Sequence, residues 1–339
     1  MKINLSKYLF SKKKLRPLII SEISANHCGS KSIFLKTIKA AAKNGADMIK
    51  IQTYEPQDIT VKPANKNNKV WKLYTKAQTP FKWHYDAFKL AKKLKIKLFS
   101  TPFSVRGVRF LKRFKVDVYK ISSFEINDFR LIREIAKTRK PVIVSTGMSN
   151  FKEIKECLNL IKKYHNKIIL LHCVSGYPTP ENQANLKRIL ALKEKFRDIK
   201  IGLSDHTNDI ITSLASIPFG VAVIEKHFIL SKKLKSLDAK FSINPSQLKD
   251  LSNFSKRIHS SLGIKNFNLQ KSELKSKKFR RSIFSTKKII KGEKFNHENI
   301  STFRPSKGIS SKYFFDVLGK KSKKNIKAFS PIYRKYLAN

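Results

Sequence analysis

Lys200-Ile-Gly-Leu-Ser-Asp-His206 and Ala222-Val-Ile-Glu-Lys-His-Phe228 are the two stretches from which the architecture is read. Each is a short apolar run that turns polar at its C-terminal end and there presents a histidine. Buried parallel strands are apolar along their length, so a Ser-Asp-His or Glu-Lys-His cluster at one tip demands a reason. If both strands belong to one barrel, His206 and His227 emerge side by side at the same rim. Two neutral imidazoles there would hold a divalent metal and leave most of its coordination sites open to substrate. The plainer alternative is a pair of hydrogen-bonded histidines at a barrel edge. Ser204, Asp205, Glu225 and Lys226 beside them favour the first reading.

Working outward, the same alternation runs through the chain. Apolar strand candidates are Leu18–Ser24, Met48–Tyr54, Lys97–Phe103, Val118–Ser123, Pro141–Gly147, Ile168–Ser175, Lys200–His206 and Val221–Phe228. An amphipathic helical stretch follows each one, the first near Phe34–Asn44 and the last over Ser246–Ser261. Eight such units in strict order predict an α/β fold, a (β/α)8 TIM barrel over 17–261. An open doubly wound sheet would carry a Gly-rich first turn, and Ser24-Ala-Asn-His-Cys-Gly-Ser30 lacks one.

Active sites of such barrels lie at the C-terminal strand ends, and polar residues collect there. They are Glu22, Lys50, Gln52, Ser100, Thr101, Lys120, Ser122, Ser123, Ser145, Thr146, His172 and Ser175, followed by the two histidine clusters. Turn formation explains some Ser and Thr. It does not explain a lysine inside Ile49-Lys-Ile-Gln52 and another inside Tyr119-Lys-Ile121. A lysine among apolar strand residues needs an anionic partner. Two of them with the Ser123, Ser145 and Ser204 hydroxyls suit a phosphate or carboxylate. The ligand expected is small and doubly anionic.

Two loops are long. Glu55–Phe81 reads as a cover over the barrel mouth, and Leu230–Pro245, with Asp238, as either a site loop or an ordinary connector. After Ser261 the alternation ends. Residues 262–278 are polar and lysine-rich, a linker, and 279–339 break into short β-like pieces (Arg280–Thr286, Lys287–Glu293, Ile300–Gly308) of a second small domain. Residues 1–16 form a lysine-rich extension.

Lys and Arg number 73 against 23 Asp and Glu, a formal net charge of +50. The basic residues are scattered over nearly every helix and loop. A nucleic-acid footprint would be concentrated and interleaved with aromatics, and no RNP-type strand, zinc-finger spacing or Gly-x-x-Gly clamp is present. No specific nucleic-acid partner is expected, although a polyanion-binding role is the rival reading from another class. Three cysteines without a C-x-x-C pair suit a reducing compartment. No apolar run of eighteen residues exists, and Pro17-Leu-Ile-Ile is too short for a signal-peptide core. The expected location is cytoplasmic, with no membrane partner.

Ser24-Ala-Asn-His27, Lys50-Ile-Gln-Thr-Tyr54, Tyr119-Lys-Ile121, Ser123-Phe-Glu125, Val144-Ser-Thr-Gly147, Tyr177-Pro-Thr179, Leu203-Ser-Asp-His206 and Ile224-Glu-Lys-His-Phe228 together resemble the sialic acid synthase family. Arg281-Ser-Ile and Arg304-Pro-Ser resemble its small SAF (antifreeze-like) domain, expected over 279–339. Asp238-Ala-Lys-Phe-Ser242 and Arg304-Pro-Ser-Lys-Gly308 look most like the pseudaminic acid synthase branch, with the N-acetylneuraminate and legionaminate branches as alternatives.

The resemblance implies condensation of phosphoenolpyruvate with an N-acetylated amino sugar. It assigns phosphoenolpyruvate to Lys50, Thr101, Lys120, Ser123, Ser145, Ser175 and Ser204, and the sugar to Gln52, Glu125, Tyr177, Asp238 and Arg304. It further implies Mn2+ (or Mg2+ or Co2+) on His206 and His227, and a homodimer in which the SAF-domain Arg304 completes the partner's site; Glu22 is our own candidate for the carboxylate that orients sugar or water and handles a proton. Ser175 departs from the Asn that the family often carries there. A barrel aldolase acting on a phosphorylated sugar is the nearest enzyme rival; a SAF domain argues against it.

Overall fold

The structure is a computed structural model and describes Tyr8, Ser11 and residues 15–63 and 68–338. The chain divides into two compact units, Met1–Gly263 and Ile264–Asn339.

In the first unit a closed barrel runs in sequence order through β1 (Leu18–Glu22), β2 (Met48–Thr53), β3 (Lys97–Pro102), β4 (Tyr119–Ile121), β5 (Val142–Ser145), β6 (Ile168–Cys173), β7 (Lys200–Asp205) and β8 (Val223–His227). Every neighbouring pair is parallel, and β8 closes onto β1 in the register Glu22↔His227. All eight predicted strands are present, each ending one or two residues before its expected polar tip. The helix over Lys31–Lys43 shows why each crossover forms. Ser30 caps it through Ile33 N, and Phe34, Ile38 and Ala41 recur at helical spacing to bury one face. The last crossover, Pro245–Ser261, opens on an Asn244/Gln247 capping box with Pro at its first position.

Strand alternation sorts the side chains into two cores. Ile19, Ile49, Leu98, Leu203 and Ile224 face outward to the helices. Leu18, Ile20, Met48, Phe99, Val118, Ile143, Ile169 and Val223 fill the lower barrel. Gly202 is required in that filling, because a Cβ there would lie 2.6 Å from both Leu171 Cδ2 and the Val223 carbonyl. Tyr8 belongs to the same cluster and donates its hydroxyl to the Ala222 carbonyl at 2.7 Å. This part of the predicted extension is therefore packed against the barrel; most of 1–14 lies outside the described residues.

Two loop expectations change. The 55–81 stretch holds a helix, Lys69–Ala77, whose first free amides, Val70 and Trp71, are satisfied by the Asn68 cap; residues 64–67 lie outside the description. The 262–278 stretch contains a short helix, Lys271–Leu274, and belongs with the second unit from Ile264. That unit pairs β9 (Ser282–Ser285) with β10 (Ile300–Phe303) antiparallel around Ile283, Ile289, Phe295, Ile300 and Ile332. Residues 287–293, expected as a β-like piece, make a single bridge, Ile289↔Ile326, and no strand. Among the described residues no helix is long and apolar enough to cross a membrane.

Candidate active site

Two residues above the apolar filling, the same inward face of each strand turns polar. Ile20 is followed by Glu22, Met48 by Lys50, Phe99 by Thr101, Val118 by Lys120, Ile143 by Ser145, Leu171 by Cys173, Gly202 by Ser204 and Val223 by Glu225. All of these polar residues are buried. They make one connected floor.

Glu225 is its hub. Its Oε1 lies 3.6 Å from Lys50 Nζ and 3.7 Å from Lys120 Nζ, and accepts the Ser204 hydroxyl at 3.1 Å. Lys50 also ion-pairs with Glu22 and donates to Thr101 Oγ1 at 3.2 Å, while Lys120 donates to Ser145 Oγ at 2.6 Å. Glu22 accepts in addition from Ser24 N at 2.8 Å. The anionic partners that the two lysines require are thus supplied first by the protein's own carboxylates. Sequence reasoning gave Glu225 no role; its place two residues above Val223 on the inward face is the signal that would have found it.

The two carboxylates are pushed in opposite directions. Burial raises Glu22 above the ordinary carboxylate value, against the opposing pull of Lys50 and His227. Burial raises Glu225 too, but Lys120 and Lys50 outweigh it and hold that group down at about 2. Burial also lowers Lys120, only partly offset by Glu225. Carboxyls driven apart in this way divide acid from base duty. Glu225 Oε2 is buried with no hydrogen-bond partner among the described residues, so it is free to accept from a substrate hydroxyl or water.

Beside the floor, Ser123 Oγ accepts from Gly147 N at 3.0 Å. A Cβ on Gly147 would lie 2.2 Å from Ser175 Oγ and 2.8 Å from Ser123 Oγ, so glycine is what lets the two hydroxyls converge. Cys173, unassigned by the sequence, has its Sγ 4.0 Å from Ser175 Oγ and 3.8 Å from His206 Nδ1. Burial raises its thiol, yet His206 more than compensates and brings it to about 7.

His206 and His227 stand with ring centroids 5.3 Å apart. His206 Nδ1 donates to the Val174 carbonyl at 3.1 Å, so in the neutral ring Nε2 carries the lone pair. His227 Nδ1 faces Asp238 Oδ2 at 3.4 Å. His206 is thus pinned at one nitrogen, the usual form of a metal-binding histidine, while His227 Nδ1 makes no hydrogen bond among the described residues and is near only the Asp238 carboxylate. No group of three or more His, Cys, Asp or Glu suited to a metal exists among the described residues. The donor set fits a cation that takes two protein ligands and leaves its other positions to substrate or water.

Of the residues assigned to the sugar, Tyr177 lies over His206 at 4.5 Å between centroids and is 45% exposed. Asp238 is drawn in by Ala25 N at 3.2 Å. Glu125 is half-buried and accepts the Ser122 hydroxyl, and Gln52 is half-buried at the end of β2. Arg304 is exposed and belongs to the second unit.

Comparison with known proteins bears on the family and the fold. The model of the NeuB family matches residues 37–267, and that of the SAF domain residues 280–337. A pseudaminic acid synthase of Campylobacter jejuni is 42% identical over 320 residues, covering 91% of this chain and 93% of its own. The N,N'-diacetyllegionaminic acid synthase of the same species is 37% identical over 326 residues, covering 92% and 97%. Among solved structures, an N-acetylneuraminic acid synthetase from Leptospira borgpetersenii superposes with a TM-score of 0.72 at 32% identity, over 78% of this chain and 90% of that one.

Proposed function

The chain belongs to the NeuB family and carries a SAF domain behind its barrel, and on that premise we propose that it acts as a pseudaminic acid synthase. It condenses phosphoenolpyruvate with a 2,4-diacetamido-2,4,6-trideoxy hexose of the altrose type. The products are a nine-carbon ulosonic acid and phosphate. The observation that carries this reading is the convergence of buried Lys50 and Lys120 on one floor.

Phosphoenolpyruvate binds through Lys50, Lys120 and Thr101 with the Ser123, Ser145, Ser175 and Ser204 hydroxyls. Charge-assisted bonds from two desolvated ammonium groups suit its phosphate and carboxylate. Carbon 3 adds to the sugar aldehyde, whose oxygen becomes a hydroxyl. Carbon 2 is left cationic beside the ionised Glu225, whose negative charge stabilises it. Water adds to carbon 2, returning one proton to Glu22, and the C–O bond to phosphate breaks as the second proton goes to the phosphate and the ketone forms. Glu22, held above the usual carboxylate range, carries the proton for the aldehyde oxygen. A divalent cation, Mn2+ first, on His206 and His227 supplies Lewis-acid polarisation of the aldehyde when bound. Gln52, Glu125 and Tyr177 line the sugar, and Asp238, which the resemblance also assigns there, stands behind His227.

The same reading takes the enzyme as a cytoplasmic homodimer in which Arg304 completes the partner's site. Mixing inactive Arg304→Ala and His206→Ala chains should restore part of the activity, because one site in the mixed dimer is then intact. Additive inactivity in a demonstrated mixed dimer removes the shared site.

The deciding assay is phosphate release from phosphoenolpyruvate with Mn2+ and three acceptors. These are the altrose-type diacetamido sugar, its legionaminate-route counterpart and N-acetylmannosamine. Turnover is expected with the first. Turnover with the second alone would favour the legionaminate alternative, which the similarity to the Campylobacter legionaminic acid synthase supports. Silence with all three overturns the synthase reading.

A further inference from the structure

Behind the two histidines, on the opposite face of the same strands, lies a buried charge pair that the reaction does not use. Asp205 and Lys226 are register partners on β7 and β8, 3.1 Å apart, with side chains 1% and 0% exposed. Each immediately precedes one of the histidines. Strand alternation sends Asp205 and Lys226 outward, in line with Leu203 and Ile224, while the residues after them turn to the mouth.

The pair does more than bridge two strands. Asp205 Oδ1 accepts both the backbone N–H and the hydroxyl of Thr207 at 2.8 Å, and Oδ2 accepts the Ser213 hydroxyl. Lys226 Nζ donates to the Thr207 carbonyl at 2.5 Å. Thr207 is therefore held at both ends of its backbone, directly beyond His206. The His206 carbonyl accepts from Thr179 N at 2.9 Å, and the His227 carbonyl from Ile243 N at 2.8 Å. Both histidine carbonyls are thus engaged, and the pair ties the residue beyond His206 to the β8 strand that carries His227. A buried ion pair is a poor way to gain stability, since apolar residues of similar volume do as well or better. Its presence here calls for a positional role.

We propose that the Asp205–Lys226 pair is a clamp that fixes the separation of His206 and His227 and thereby sets the affinity for the divalent cation. The proposal rests on the reading that these two histidines hold that cation. Asp205 and Lys226 are positioning residues: they touch neither substrate nor cation.

The double substitution Asp205→Asn/Lys226→Met tests it, because both charges leave together and neither is stranded. Asp205→Glu is the second arm, keeping the charge while pushing the strand ends apart. Mn2+ binding is read by electron paramagnetic resonance of the free ion. Phosphoenolpyruvate binding is read calorimetrically in metal-free buffer, and folding by circular dichroism. In whichever variant is folded, the Mn2+ Kd is expected to rise about 10-fold, the size typical of residues that orient metal ligands. The phosphoenolpyruvate Kd should stay within about 2-fold, since Lys50 and Lys120 stand outside the clamp. An unchanged Mn2+ Kd overturns the clamp, and so does a parallel loss of both affinities, which is general loosening. His206→Ala is the separate control: if it binds Mn2+ as the wild type does, the metal reading itself fails and the clamp with it.

Discussion

Lys120 on β4 and Glu225 on β8 meet at 3.7 Å although their strands are not neighbours, so the contact spans the barrel mouth. With Lys50 at 3.6 Å on the same oxygen, Glu225 compensates two buried ammonium groups at once. Glu225→Gln leaves Lys120 without a carboxylate and Lys50 with Glu22 alone. Breaking a buried pair in this way costs about 3 kcal/mol. Phosphoenolpyruvate would return negative charge to the same place. The variant should therefore melt well below the wild type without ligand, and the gap should narrow when phosphoenolpyruvate saturates both. A gap of equal size with and without ligand would mean that the anion does not enter between these lysines.

The same residue sets an acid dependence. Glu225 falls from an ordinary value of 4.5 to about 2 on folding, so the unfolded chain binds its proton first. Its stabilisation is complete above 4.5 and is lost as pH falls toward 2. Glu22, whose value is raised, acts with the opposite sign: the proton it retains favours the folded state at low pH. From about pH 5 to about pH 3.5 the Glu225 contribution alone shrinks by about 1 kcal/mol. Urea midpoints across that interval should fall less in Glu225→Gln than in the wild type. Equal slopes would show that Glu225 titrates normally in the folded protein.

How far the site was legible follows from the alternation itself. Lys50 and Lys120 stood out because a charge inside an apolar strand has no cheap explanation, and both lie on the floor. His206 and His227 could be paired because parallel neighbours end at one rim. Glu225 was quoted with them but left without a task. Its importance depends on Lys50 and Lys120 reaching it from two other strands, a relation set by barrel closure and not by spacing along the chain. The helix at Lys69–Ala77 is hard to read for a local reason: it buries none of its residues, so it lacks the core-facing stripe of the other helices, and only its Asn68 cap marks its start. Asp205 and Lys226 looked like site residues, yet one step of strand alternation turns them to the outer layer.

Gly147 offers a test of the phosphate subsite that leaves every proposed ligand in place. An alanine Cβ there would lie 2.2 Å from Ser175 Oγ and 2.8 Å from Ser123 Oγ, so at least one hydroxyl must turn away. Overpacking of this kind costs about 1–3 kcal/mol. Because the displaced atoms are hydroxyls of the subsite, the KM for phosphoenolpyruvate should rise by about 10-fold or more. The sugar KM should change little. If the sugar KM moves instead, Ser123 and Ser175 belong to the acceptor.

Asp238 is the residue on which the sequence and the geometry lean in different directions. The resemblance assigns it to the sugar; its Oδ2 faces His227 Nδ1 at 3.4 Å and accepts Ala25 N at 3.2 Å. Burial works against its charge, but His227 more than offsets that and keeps the carboxyl below its ordinary value. A carboxylate behind a ligating histidine raises the basicity of the ring and fixes its orientation, and its removal commonly weakens metal binding 10- to 100-fold. Asp238→Asn keeps the shape and removes the charge. The expected result is an Mn2+ Kd raised by about 10-fold or more, with the sugar KM at saturating Mn2+ nearly unchanged. The reverse pattern, a raised sugar KM at an unaltered Mn2+ Kd, would mean that Asp238 spends its charge on the acceptor and that His227 is oriented well enough by Phe241, whose ring stands 4.8 Å away.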